Sequence, residues 1–147
     1  MPELARILGS DETEFNTFLV KIDAAQEEFA RGRPEEFKAL WSHTDDVSLS
    51  GGHGGLVELG WEKVAARLDW ASSTYVDGDR GHEIISGCIG GELAYLVRKE
   101  IIEARIGGEA GRSRQELRVT MVFRREAEGW RIVHRHADSQ TSAALPR

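Results

Sequence analysis

Apolar residues recur at three- and four-residue steps along the first third of the chain and at every second position along the last third. From Asp11 to Arg31 the repeat Phe15, Phe18, Leu19, Ile22, Ala25 and Phe29 marks one face of a helix, with Ser10 or Asp11 as its cap and Gly32 as a left-handed stop. Pro34 suits the first position of a short second helix carrying Phe37, Leu40 and Trp41 and expected to end near His43. A short strand is expected over 46–50, before the glycines Gly51, Gly52, Gly54 and Gly55 that surround His53. Helical spacing returns from Trp61 to Tyr75, with Trp70 off the apolar stripe.

After about residue 81 the period becomes two, which predicts strands at 83–90, 92–106, 115–126 and 129–138. Glu126 to Gly129 is the tightest hairpin turn, Gly107, Gly108 and Gly111 make a longer loop, and Gly90-Gly91 marks a further reversal. Helices followed by a strand meander imply an α+β domain with helices on one face of an antiparallel sheet. Strict alternation on the last strand would put Trp130, Ile132, His134 and His136 on one face. On the strand before it, Leu117, Val119, Met121 and Phe123 form a wholly apolar series, and parity by itself leaves the orientation of the sheet open.

A chain of 147 residues is the size of one domain and long enough to bury a core. No apolar run approaches the roughly 20 residues of a membrane span, and Met1 to Gly9 contain no long apolar stretch, so the expected address is the cytoplasm. A net charge of −6 argues against nucleic acid as a partner, because phosphate binding needs clustered cations. The lone cysteine, Cys88, excludes an intrachain disulfide and is expected as a small packed side chain. Residues 1–9 and 140–147 are expected to be flexible ends of a single domain over 1–147.

The order of elements, together with Phe37-Lys-Ala-Leu-Trp-Ser-His-Thr-Asp-Asp-Val, Gly60-Trp-Glu-Lys-Val, Arg67-Leu-Asp-Trp-Ala, Glu92-Leu-Ala-Tyr and Trp130-Arg-Ile-Val-His-Arg-His-Ala-Asp, resembles the SnoaL-like branch of the nuclear transport factor 2-like superfamily. The closing strand is also similar to that of the calcium/calmodulin-dependent kinase II association domain. The resemblance implies a cone: a curved antiparallel sheet packed on a long N-terminal helix and two shorter helices, enclosing an apolar cavity, in a homodimer paired through the outer sheet face. It spans isomerases, cyclases, dehydratases and members that only bind or assemble. In the isomerases a carboxylate base follows the first strand; the matching position here is Gly51, and residues 50–55 contain no carboxylate.

His134 and His136 stand about 6–7 Å apart along one strand face, a spacing that suits a pair of metal ligands, but no third ligand is evident. Either imidazole also has a pKa suited to acid–base work beside a carboxylate such as Asp138. These two are the candidate catalytic residues. Trp41, His53, Trp61, Tyr95, Val97 and Thr120 are the candidate ligand-binding residues: the tryptophans as pocket wall, His53 at the cavity mouth, Tyr95 and Val97 facing the pocket through the kinase-domain likeness, and Thr120 as a hydrogen-bonding partner. The glycine runs lack the Lys-Ser/Thr that a phosphate loop needs. The expected function is binding of a small organic molecule in an apolar, polar-ended cavity, with no cofactor. The alternatives are a cofactor-free acid–base enzyme and a non-catalytic assembly module.

Overall fold

Phe15, Phe18, Leu19, Ile22 and Ala25 are all buried along helix α1 (Thr13–Phe29), as their spacing requires. The computed structural model describes residues 13–141, so the proposed cap at Ser10 or Asp11 and the expected flexible ends, apart from Gln140 and Thr141, lie outside the described residues. The helix stops at Gly32, whose φ of 83° is left-handed. Gly32 N donates to Phe29 O at 3.1 Å and Arg33 N to Glu28 O at 2.9 Å, the paired bonds that satisfy a helix's last carbonyls.

Two shorter helices follow, α2 (Glu35–Ala39) and α3 (Trp61–Ser73). The strands are β1 (Ser48–Ser50), β2 (Glu58–Leu59), β3 (Tyr75–Ile89), β4 (Leu93–Ile106), β5 (Ser113–Glu126) and β6 (Gly129–Ser139). They form one curved sheet in the order β2-β1-β6-β5-β4-β3, antiparallel except where β1 runs parallel to β6. The α+β cone is therefore the fold. Among the described residues no helix is long and apolar enough to cross a membrane.

Three sequence expectations change. Helix α2 ends at Ala39, and Trp41 makes an isolated parallel bridge to Ile132 instead of continuing it. Strand β3 begins at Tyr75, well before residue 83, because Gly78 lets the chain lie directly on the end of α1. Gly78 N donates to Ala30 O at 2.9 Å, and a Cβ there would sit 2.4 Å from that oxygen. Cys88 is exposed, not packed.

A fourth change reorders the last strand. Val122 pairs with His134 but Phe123 pairs with Ile132, so Val133 is the extra residue of a bulge. One extra residue flips every side chain beyond it. Trp130 and Ile132 face the core, as do Arg135 and Ala137, whereas His134 and His136 face outward with Thr120 and Val122. The core centres on Phe15 and Phe18 against Phe123 and Trp130, with ring centroids 5.1–5.6 Å apart.

Candidate functional site

Strand β4 turns Ala94, Leu96, Arg98, Glu100, Ile102 and Ala104 toward the helices, all of them buried. Two ionised side chains thus stand among apolar neighbours, and Glu100 has no solvent exposure. Burying a charge is costly unless partners surround it. Glu100 has three. Arg135 on β6 donates to both its oxygens, Nη2 to Oε1 at 2.7 Å and Nη1 to Oε2 at 3.0 Å. Arg80 Nη2 on β3 reaches Oε1 at 2.7 Å, and Arg98 Nε reaches Oε2 at 2.9 Å. Helix α1 closes the network: Gln26 Oε1 accepts from Arg98 and Arg80, and Asp23 accepts from Arg98 Nη1 at 2.8 Å. Burial alone would push the Glu100 carboxyl up, but Arg135, Arg80 and Arg98 outweigh it and hold the group well below the usual carboxylate range.

Beside this network lies an interior cavity of about 50 Å³. Phe29, Phe37, Leu49, Leu68, Ile102 and Leu117 line it on the apolar side, and Arg80, Arg135, Gln26 and Tyr75 on the polar side. Gly51, Gly52, His53, Arg67 and Ala71 complete its lining. Tyr75 OH donates to Gln115 Oε1 at 2.9 Å and lies 3.3 Å from His53 Nε2. Burial, reinforced by the charge of Arg67, lowers the His53 pKa, and burial raises that of Tyr75. Both groups are therefore neutral near pH 7.

The glycines of the β1–β2 loop have a steric purpose. A Cβ on Gly51 would lie 2.9 Å from Arg67 Nη2, and one on Gly55 3.3 Å from Nη1. The guanidinium packs against this bare turn, donates to Gly54 O, pairs with Glu58 at 3.5 Å and sits 5.2 Å from the Trp70 ring.

Of the residues singled out from the sequence, His53 lines the interior cavity. Trp41 is buried in the core, tilted 6.4 Å from Trp61, whose other face stacks on His43 at 3.9 Å. Tyr95, Val97, Thr120, His134 and His136 gather on the outer face of the sheet, where Tyr95 opposes Val122 and Val97 opposes Thr120. Val97, Thr120 and His136 border an open groove of about 710 Å³ there. His134 Nδ1 is 2.8 Å from Ser48 Oγ, and burial followed by its neighbour His136 lowers its pKa. Among the described residues no group of three or more His, Cys, Asp or Glu could hold a metal ion. Arg67, Arg80, Arg98, Glu100 and Arg135 were not singled out. Charged residues of a strand read as its solvated face, and only the wholly apolar Leu117 series, opposite Glu100 and Arg98 in register, carried the signal.

Glu100→Gln leaves three buried guanidiniums with half the acceptor they share. We expect a stability loss of about 3–5 kcal/mol in urea unfolding; a loss below about 1 kcal/mol, as for an exposed pair, would show that the network is not the organising contact.

Comparison with known proteins follows the same lines. A proposed dehydratase of the nuclear transport factor 2-like family from Streptomyces avermitilis superposes with a TM-score of 0.74 at 20% identity, covering 97% of this chain and 100% of that one. A ketosteroid isomerase-like protein from Erwinia carotovora atroseptica gives 0.73 at 15% identity, over 90% and 99%. A proposed calcium/calmodulin-dependent protein kinase type II association domain from Thiobacillus denitrificans gives 0.69 at 21% identity, over 86% and 94%. At these identities the likeness is one of fold. No curated protein matches the sequence. A family model described as the SnoaL-like domain matches residues 21–140, and the chain belongs to that family.

Proposed function

We propose that this chain binds a small organic molecule inside the cone, its apolar body against Phe29, Leu49, Leu68 and Ile102 and its polar end against Arg80, Arg135 and Tyr75. The observation that carries this reading is the convergence of an apolar wall and a buried guanidinium network on one cavity, the composition expected of a ligand pocket. A volume of about 50 Å³ holds one or two waters, so a larger ligand needs the lining residues His53 and Arg67 to move aside. A cofactor-free acid–base reaction is a second reading. It is favoured by the contact of His53 with Tyr75 at the cavity, whereas His134 and His136 stand on the opposite face of the sheet.

The outer face supports a homodimer. Ile85, Leu93 and Tyr95 are 57%, 56% and 42% exposed, in a region that also carries the pairs Lys99–Glu116 and Arg118–Asp138 at 2.8 Å. Apolar groups beside paired charges suit a self-complementary interface.

Thermal unfolding with a panel of small acidic and neutral carbonyl compounds tests the first proposal: a binder raises Tm, and the rise grows with the logarithm of its concentration above Kd, while Ala71→Phe, which fills the cavity, abolishes the rise. A panel without effect, or an Ala71→Phe variant that still responds, would overturn it. For the interface, sedimentation at micromolar concentration is expected to give a dimer that Tyr95→Glu converts to a monomer; a wild-type monomer, or a variant of unchanged size, refutes that assignment.

A further inference from the structure

The charges around the cavity do not balance. Four guanidiniums, those of Arg67, Arg80, Arg98 and Arg135, face three carboxylates, those of Glu58, Glu100 and Asp23, which leaves one positive charge over. Neutral His53 and Tyr75 add nothing to that count. Burial, together with Arg135 and Arg98, pulls the Arg80 pKa down against the pull of Glu100, yet a guanidinium stays cationic in a protein. The excess charge is therefore fixed in place.

Two hydrogen-bond donors are left over as well. Nε of Arg80 and Nε of Arg67 are buried with no partner among the described residues, and both side chains line the same cavity. The Arg80 side chain is only 7% exposed, so its spare donor has little access to bulk solvent. Buried donors in native proteins are almost always satisfied, and a spare one calls for an acceptor.

Gly51 explains how the second guanidinium reaches this place. With no Cβ at residue 51, the Arg67 head fills the space that a side chain there would take. Residue 51 is the position at which the resemblance to isomerases called for a carboxylate base. A glycine stands there, and a cation occupies its side-chain space.

We infer that the cone selects an anion, a small carboxylate whose oxygens accept the spare Nε–H donors of Arg67 and Arg80. This rests on the reading of the cone as a binding site and adds the charge of the ligand to it. Arg67 is the specificity residue: its Gly54 and Glu58 contacts hold it beside the glycine loop, where its side chain lines the cavity. One carboxylate cancels the one excess charge, and charge-assisted bonds to guanidinium are the strong ones.

The test compares isosteres of unlike charge. In a 15N-labelled protein the arginine Nε–H resonances are followed during titration with sodium acetate or formate, against acetamide or formamide, at ionic strength matched with chloride. The acids are expected to shift the Arg67 and Arg80 signals saturably, and the amides to leave them in place. Arg67→Gln should weaken acetate binding about tenfold or more, the loss expected for one charged hydrogen bond, with the backbone spectrum of the sheet retained. Arg67→Lys, which keeps the cation, should lose less. Equal response to acid and amide would overturn the charge selection while leaving the cone as a binding site, as would binding of neutral panel compounds alone. No response to any compound would overturn both.

Discussion

A carboxylate with no solvent exposure, Glu100, organises this molecule. Its two oxygens take four hydrogen bonds from guanidiniums on β3, β4 and β6, and Arg98 and Arg80 pass the connection to Gln26 on α1. Desolvating that charge is costly, and only the full set of partners offsets it. Three strands and the long helix must therefore arrive together, with the sheet wrapped far enough to bring Arg80 near one edge and Arg135 on β6 within reach of one acid. Apolar packing of Phe15, Phe18, Phe123 and Trp130 fills the other end of the cone and needs no such register.

The same network explains why an interior cavity lies where it does. Guanidinium heads cannot interdigitate like leucines, and the space beside them is bounded by Tyr75, Phe37 and the bare glycine loop. Ring and cation also meet there: Arg135 lies 5.9 Å from the Phe37 ring centroid. The lining on this side is assembled from parts on separate elements. Arg67 comes from α3, His53 from the β1–β2 loop and Tyr75 from the start of β3. Gly51 and Gly55 offer Arg67 no side chain, so its head is held by Gly54 O, the Glu58 carboxylate and the Trp70 ring.

Periodicity made the fold legible. The apolar stripe of α1 and the hairpin at 126–129 appear as read, the first long strand starts earlier than its period showed, and the order of elements pointed to the right family. What periodicity lost was the inside of the cone. Tyr95 and Val97 were expected to face the pocket from β4, yet the buried series is Leu96, Arg98, Glu100 and Ile102. Arg98 and Glu100 can be inside only because Arg80, Arg135 and Gln26 wait there, and those partners lie up to 72 residues away in sequence. No local pattern carries such a contact. The paired histidines were misplaced for a related reason: the bulge at Val133 depends on how β6 meets β5 and leaves no mark on the alternation itself.

The central claim is that Glu100 stays ionised in the interior and binds the strands through that charge. A carboxylate held below its unfolded pKa of about 4.3 stabilises the fold above that pH, and the stabilisation is lost as pH falls toward the folded value. Carbon-13 NMR of the glutamate side-chain carboxyl, followed from pH 7 downward, measures this directly. The Glu100 signal is expected not to titrate before the protein itself begins to unfold in acid. A Glu100 carboxyl that takes up its proton at or above about pH 4.3 in the folded protein would contradict it.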